Sequence, residues 1–117
     1  MTLDMLRTQL RAFAAARDWQ LYHSPKNLVM ALSVETAELV EHFQWLTEAQ
    51  SRQLPAEQRA AVAQEVGDVL IYLVQLADQL GIDPLQAAQD KMVLNAAKYP
   101  AGMPTGLPKG AVKADPT

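Results

Sequence analysis

Cysteine is absent from the chain, which removes disulfides and thiolate metal sites and leaves the redox compartment unmarked. Basic residues nowhere cluster, and the formal net charge is −3, so the Lys/Arg footprint that displaces counterions from a duplex is missing. A polyanionic substrate must therefore be met by metal ions, and a nucleic-acid polymer is not the expected partner. The N-terminal stretch from Met1 to Arg11 mixes charges with apolar residues and lacks a signal-peptide core. No run approaches the ~18 consecutive apolar residues of a membrane span, so the expectation is a cytoplasmic protein with no membrane partner. Glycine is scarce, at 5 of 117 residues, and the long stretches of Ala, Leu, Gln, Glu and Val between turn signals favour helices over strands.

The length fits one domain, whose folding buries roughly two-thirds of the unfolded surface. Thr2 can cap a first helix to about Arg17, with Leu3, Leu6, Leu10 and Phe13 on one face. Ser24 followed by Pro25 signals a second helix, expected to run to about Leu46. After a polar link, Pro55 opens a third helix whose stripe of Val62, Val66, Val69, Leu73, Leu76 and Leu80 ends at Gly81. Asp83-Pro84 repeats the cap-plus-proline signal for a fourth helix, expected to turn Leu85, Ala88, Met92 and Ala96 inward and to end near Tyr99 before Pro100. Residues 1–100 form the expected domain, and 101–117, with Pro104, Pro108 and Pro116 but no apolar periodicity, read as a flexible Pro/Gly-rich tail. Short loops between long helices favour an antiparallel four-helix bundle, and a wide apolar surface on so small a chain invites homo-oligomerisation.

The chemistry lies in the acidic residues. On the second helix Leu28, Leu32, Leu39 and Leu46 define an apolar stripe, and Glu35 falls inside it with Glu38 one turn later at its edge. Glu65 and Asp68 repeat the i, i+3 spacing on the third helix. Two antiparallel helices can thus present four carboxylates to one cavity. Such groups cannot all ionise unaided, because each charge and each loss of water raises the pKa of the others. A hard divalent cation such as Mg²⁺, which takes oxygen ligands, resolves the conflict. A single E-x-x-E is more often a solvated helix face; the second copy, and Glu35 at a position that ought to hold leucine, lift the pair above that reading. A di-iron bundle is disfavoured because neither His23 nor His42 stands three residues after a Glu.

Beyond the acids, Trp19, Phe43 and Trp45 are candidates for base stacking, although residue type by itself favours a place in the core. Tyr72, about two turns from Glu65, projects to the acidic side and can border substrate or pack. His23 before the Ser24 cap can reach a phosphate or close its loop.

Glu35-Thr-Ala-Glu38 and Glu65-Val-Gly-Asp68 together resemble the signature of the MazG-like all-α nucleoside triphosphate pyrophosphohydrolases. The segments Phe13–Trp19, His23–Leu28, Phe43–Trp45, Asp68–Tyr72 and Lys91–Pro100 are similar to the dCTP pyrophosphatase branch of that family, and the likeness runs from about residue 13 to residue 100. The resemblance implies hydrolysis of dCTP or a modified dCTP to the monophosphate and pyrophosphate in nucleotide-pool cleansing. It assigns Mg²⁺, with Mn²⁺ as a substitute, to Glu35, Glu38, Glu65 and Asp68. It further implies nucleotide contacts from Lys91, Asn95 and Tyr99, and a homotetramer. The acidic motif reads phosphates and metal rather than bases, so the same chemistry on dUTP or other non-canonical triphosphates stays open. A non-catalytic module that senses nucleotide or metal is the alternative from another class.

Overall fold

The computed structural model describes residues 1–102, all of them in helices, turns and short links. Helix α1 spans Leu3–Ala16, α2 Pro25–Glu41, α3 Glu48–Ser51, α4 Ala56–Gln79 and α5 Pro84–Lys98, with a single 3₁₀ turn at Trp19–Leu21. No strand occurs among the described residues, in keeping with the all-α expectation.

The predicted starts coincide with real caps. The Thr2 hydroxyl accepts from the Met5 N–H, and the Ser24 hydroxyl from the Asn27 N–H. One Asp83 carboxylate oxygen accepts from both Leu85 and Gln86 N–H groups, which satisfies two donors that the first turn of α5 leaves free. Gly81 takes φ +66°, the left-handed conformation that glycine adopts without a Cβ penalty, and so ends α4 where expected.

Two boundaries differ. α2 stops at Glu41 rather than near Leu46, because the backbone passes into i→i+3 turns, Phe43 N–H to Val40 O and Leu46 N–H to Phe43 O, both 2.9 Å. The polar link then contains α3, opened by a capping box in which Thr47 and Gln50 each accept from the other's backbone N–H. The expected tail falls almost wholly on residues 103–117, outside the described residues.

α4 is the hub. It packs along α2 and against α1. α2 and α4 run antiparallel, since Glu35 faces Asp68 whereas His42, further along α2, meets Glu65, earlier on α4. The fully buried apolar residues are few: Ala14, Leu28 at 1% exposure, Val74 and Ala77. The α4 stripe is therefore turned from its predicted setting, with Val66, Leu73 and Leu80 exposed while Val74 and Ala77 hold the centre. Phe13 on α1 is likewise exposed, and Ala14 takes the inner place. The inward face predicted for α5 is overturned within one chain. α5 has no buried residue, and Leu85 and Met92 are 63% and 70% exposed. Helical periodicity marks a face as apolar but does not say which molecule covers it.

By length and composition α4 is able to cross a bilayer, with 24 residues and an 18-residue stretch of mean hydropathy 1.3. It carries Glu65 and Asp68 mid-helix, which a lipid core penalises.

One ion pair joins α1 to this hub. The Arg11 guanidinium forks onto Asp78, Nε to Oδ2 at 2.8 Å and a second nitrogen to Oδ1. The Asp78 side chain is only 14% exposed, and its carboxyl is held below the usual aspartate range, first by the Arg11 hydrogen bonds and against the opposing effect of burial. A lowered carboxyl pKa stabilises the fold above the unfolded value of about 3.9 and loses that contribution as pH falls below it. Arg11→Ala is expected to lower the thermal midpoint by a few degrees at pH 7. The gap between variant and wild type should close below about pH 4; a gap that persists in acid would mean that the guanidinium acts through packing rather than charge.

Candidate metal and nucleotide site

Glu35 and Glu38 are one turn apart on α2, and Glu65 and Asp68 one turn apart on α4; the antiparallel packing sets the two pairs against each other. Glu35, Glu38 and Glu65 each offer an oxygen within 4.8 Å of the others. Asp68 stands just outside that group, yet close enough for its charge to act on Glu35. All four carboxylates are half-buried. One oxygen of Glu35 and one of Glu65, Oε2 in each, is buried without a hydrogen-bond partner.

Glu35 registers the strain of this arrangement. Burial foremost, then a hydrogen bond with Glu38, then the charges of Glu38, Asp68 and Glu65 push its carboxyl up from 4.5 to about 7. Two unpartnered buried carboxylate oxygens and a third carboxylate beside them make an all-oxygen donor set of excess negative charge, the surroundings that a hard divalent cation satisfies. The donor set fits Mg²⁺, which takes a few carboxylates and completes its shell with water and phosphate oxygens.

The remaining candidates are scattered. Trp19 meets Phe13 edge-on at 5.6 Å between centroids and lies 6.3 Å from the His23 ring. The Arg17 guanidinium sits 3.5 Å above the Phe13 ring, and Asp18, between Arg17 and Trp19, adopts φ +55°, a turn that folds Trp19 back towards Phe13 on α1. His23 lines a cavity of about 210 Å³ between α1 and α4, together with Arg7, Leu10, Gln20 and Gln75. Tyr72 is half-buried on α4. Trp45, in the turn after α2, is 87% exposed, so within one chain it forms no pocket wall. Phe43 lines an apolar groove of about 450 Å³ with Leu39, Val40, Val62 and Val66. Lys91 and Asn95 are exposed on α5; Tyr99 is half-buried at its end, with the Lys98 ammonium 5.5 Å from its ring.

Three features escape the sequence. Gln75 Oε1 and Arg7 Nε, both buried without a partner, belong to side chains that line the α1–α4 cavity, and the Arg11–Asp78 fork borders it. His42 stands 3.7 Å from Glu65. None had a local signal, because each pairing joins helices distant along the chain.

The raised Glu35 carboxyl gives the metal-free fold a pH signature. The folded chain keeps this proton to higher pH than the unfolded chain, so the stabilisation is present below about 4.5 and lost as pH climbs to about 7. In EDTA, the thermal midpoint of the wild type should fall relative to Glu35→Gln between pH 5 and pH 8, and Mg²⁺ added at pH 8 should restore it. A difference between the two proteins that does not change with pH would contradict this.

Comparison with known proteins places these residues in a wider group. Residues 30–109 match the MazG-like family. The dCTP pyrophosphatase 1 of Mus musculus is 42% identical over 120 residues, covering 95% of this chain and 71% of that protein. Its Homo sapiens counterpart is 41% identical over 123 residues, covering 97% of this chain and 72% of that protein. The crystal structure of a pyrophosphatase from Archaeoglobus fulgidus DSM 4304 superposes with a TM-score of 0.79 at 41% identity, over 83% of this chain and 91% of that one. On the family match, the extent of these identities and the shared helical architecture, the chain belongs to the MazG-like family.

Proposed function

We propose that this protein hydrolyses dCTP or a modified dCTP to the monophosphate and pyrophosphate, with Mg²⁺ held by Glu35, Glu38, Glu65 and Asp68. The observation that carries this reading is the three-carboxylate group within 4.8 Å, with Asp68 beside it and Glu35 pushed up to about 7. It is supported by the names of the relatives, which are dCTP pyrophosphatases, and of the structural neighbour, a pyrophosphatase.

Release of pyrophosphate requires a water oxygen to bond to the α-phosphorus while the bond from that phosphorus to the α–β bridging oxygen breaks. Bound Mg²⁺ would supply charge neutralisation at the phosphate oxygens. The carboxylates hold the phosphate end in register, and one not fully engaged with metal accepts the proton of the attacking water. Trp19 and His23 lie beside the α1–α4 cavity, whose apolar walls and polar edge suit a nucleobase. Lys91, Asn95 and Tyr99 keep the nucleotide-contact role that the family likeness gives them, and Trp45 that of a base-stacking candidate, in a site completed by a second copy of the chain.

Association with further copies follows from the shortage of core. The described residues bury few apolar side chains while exposing Val34, Val40, Leu73, Met92 and Leu94, an apolar surface that further copies of the chain can cover. We place that cover in a homotetramer. Light scattering after gel filtration should give four times the 12.9 kDa chain mass, whereas a folded monomer would overturn the assembly.

The direct test is pyrophosphate release from a panel of canonical and modified NTPs and dNTPs, with Mg²⁺ and then with EDTA. Mg²⁺-dependent release favouring dCTP or its 5-substituted forms is expected. Glu38→Gln and Asp68→Asn should each lower turnover by more than about 100-fold without loss of helicity, since changes one shell further out already cost about 10- to 100-fold. Release favouring dUTP would keep the chemistry and move the base preference; no release from any triphosphate would leave a binding module.

A further inference from the structure

The geometry assigns His42 as a positioning residue that sets Glu65 for metal binding. This rests on the proposed metal role of the four carboxylates and adds to it a side chain that is not an acid. His42 follows the last residue of α2 and caps it with helical angles, φ −70° and ψ −17°, its N–H pointing back to Leu39 O and Val40 O. The helical register therefore continues to it, and seven residues fall 20° short of two full turns. Glu35, Glu38 and His42 accordingly stand in one row along α2, opposite Glu65 on α4.

His42 Nε2 lies 3.7 Å from Glu65 Oε1, while Glu65 Oε2 is buried with no partner. The two oxygens are thus divided: one faces the imidazole, and the other stands free as a donor. The imidazole remains outside the group of carboxylate oxygens within 4.8 Å of one another, so it backs Glu65 rather than joining the ligand set. Both side chains are restricted, at 30% and 19% exposure, and His42 stands at the end of the helix that also carries Glu35 and Glu38. Ordering Glu65 before the metal arrives lowers the entropic cost of binding, and an imidazole beside a ligating carboxylate is a known means of orienting it.

The test is a titration of the metal-free full-length protein with Mn²⁺, read by loss of the free-ion EPR signal, which needs no turnover. His42→Leu keeps apolar bulk and removes the polar contact; it should weaken Mn²⁺ binding by about 10-fold or more, the usual effect of losing such a partner. His42→Asn, which retains an N–H donor, should recover most of the affinity, and thermal melting of both variants should follow the wild type. Glu38→Gln serves as the ligand control. If Glu38→Gln loses Mn²⁺ while His42→Leu binds it as tightly as the wild type, the positioning role is overturned and the metal site stands. If Glu38→Gln binds as the wild type does, the metal reading falls and the role of His42 with it. Should His42→Leu fail to fold, His42→Ala takes its place: weakened Mn²⁺ binding that His42→Asn restores is the expected result, and binding as tight as the wild type in His42→Ala overturns the positioning role.

Discussion

The constraint on which this structure turns is mutual repulsion among carboxylates held on two packed helices. Glu35, Glu38, Glu65 and Asp68 could relieve it by moving apart into water, but the α2–α4 contact that supplies most of the chain's internal packing holds them together. Leaving the charge uncompensated costs the fold stability at neutral pH. Retaining a proton on Glu35 is the compromise open to the protein alone. A divalent cation bound as proposed would offer a better one, and would couple metal affinity to fold stability through the same side chains.

Around this tension the chain is built sparingly. α4 supplies two of the acids, two of the four fully buried apolar residues and the Asp78 end of the α1 clamp. The clamp matters because α1 contributes little else that is fully buried; Ala14 alone reaches that state there. The fork of arginine against a largely buried carboxylate ties α1 to the hub beside the cavity that His23 lines.

The exposed apolar faces of α2, α4 and α5 follow from the same economy. A chain that devotes a stripe position on α2 to Glu35 gives up a leucine at the centre of its own packing. Small domains have little apolar area to spare, and burial against further copies is the usual compensation. α5 shows this most plainly: it is well capped at Asp83, ends cleanly at Tyr99, and buries nothing within its own chain.

Much of this was legible before any coordinates. Helix starts were, because Thr2, Ser24 and Asp83 satisfy orphan N–H groups within three residues of themselves, and a local interaction leaves a local signature. The i, i+3 acid pairs and the misplaced Glu35 were legible for the same reason, since a helix converts spacing directly into a shared face. The end of α2, the capping box of α3 and the rotation of the α4 stripe towards Val74 and Ala77 were not. The capping box had a sequence signal in Thr47-x-x-Gln50, whereas the other two depend on which neighbour a helix meets. The Arg11–Asp78 fork spans 67 positions, and the His42–Glu65 contact joins the end of one helix to the middle of another; no window of sequence contains both partners. The sequence by itself determined that the chain is helical, where most helices begin, and that acids at helical spacing share two faces. Only the tertiary structure decided that those faces meet, that Glu35 bears the cost, and that α5 turns its apolar residues outward, because propensity and capping act over a few residues whereas burial and charge depend on packing between distant ones.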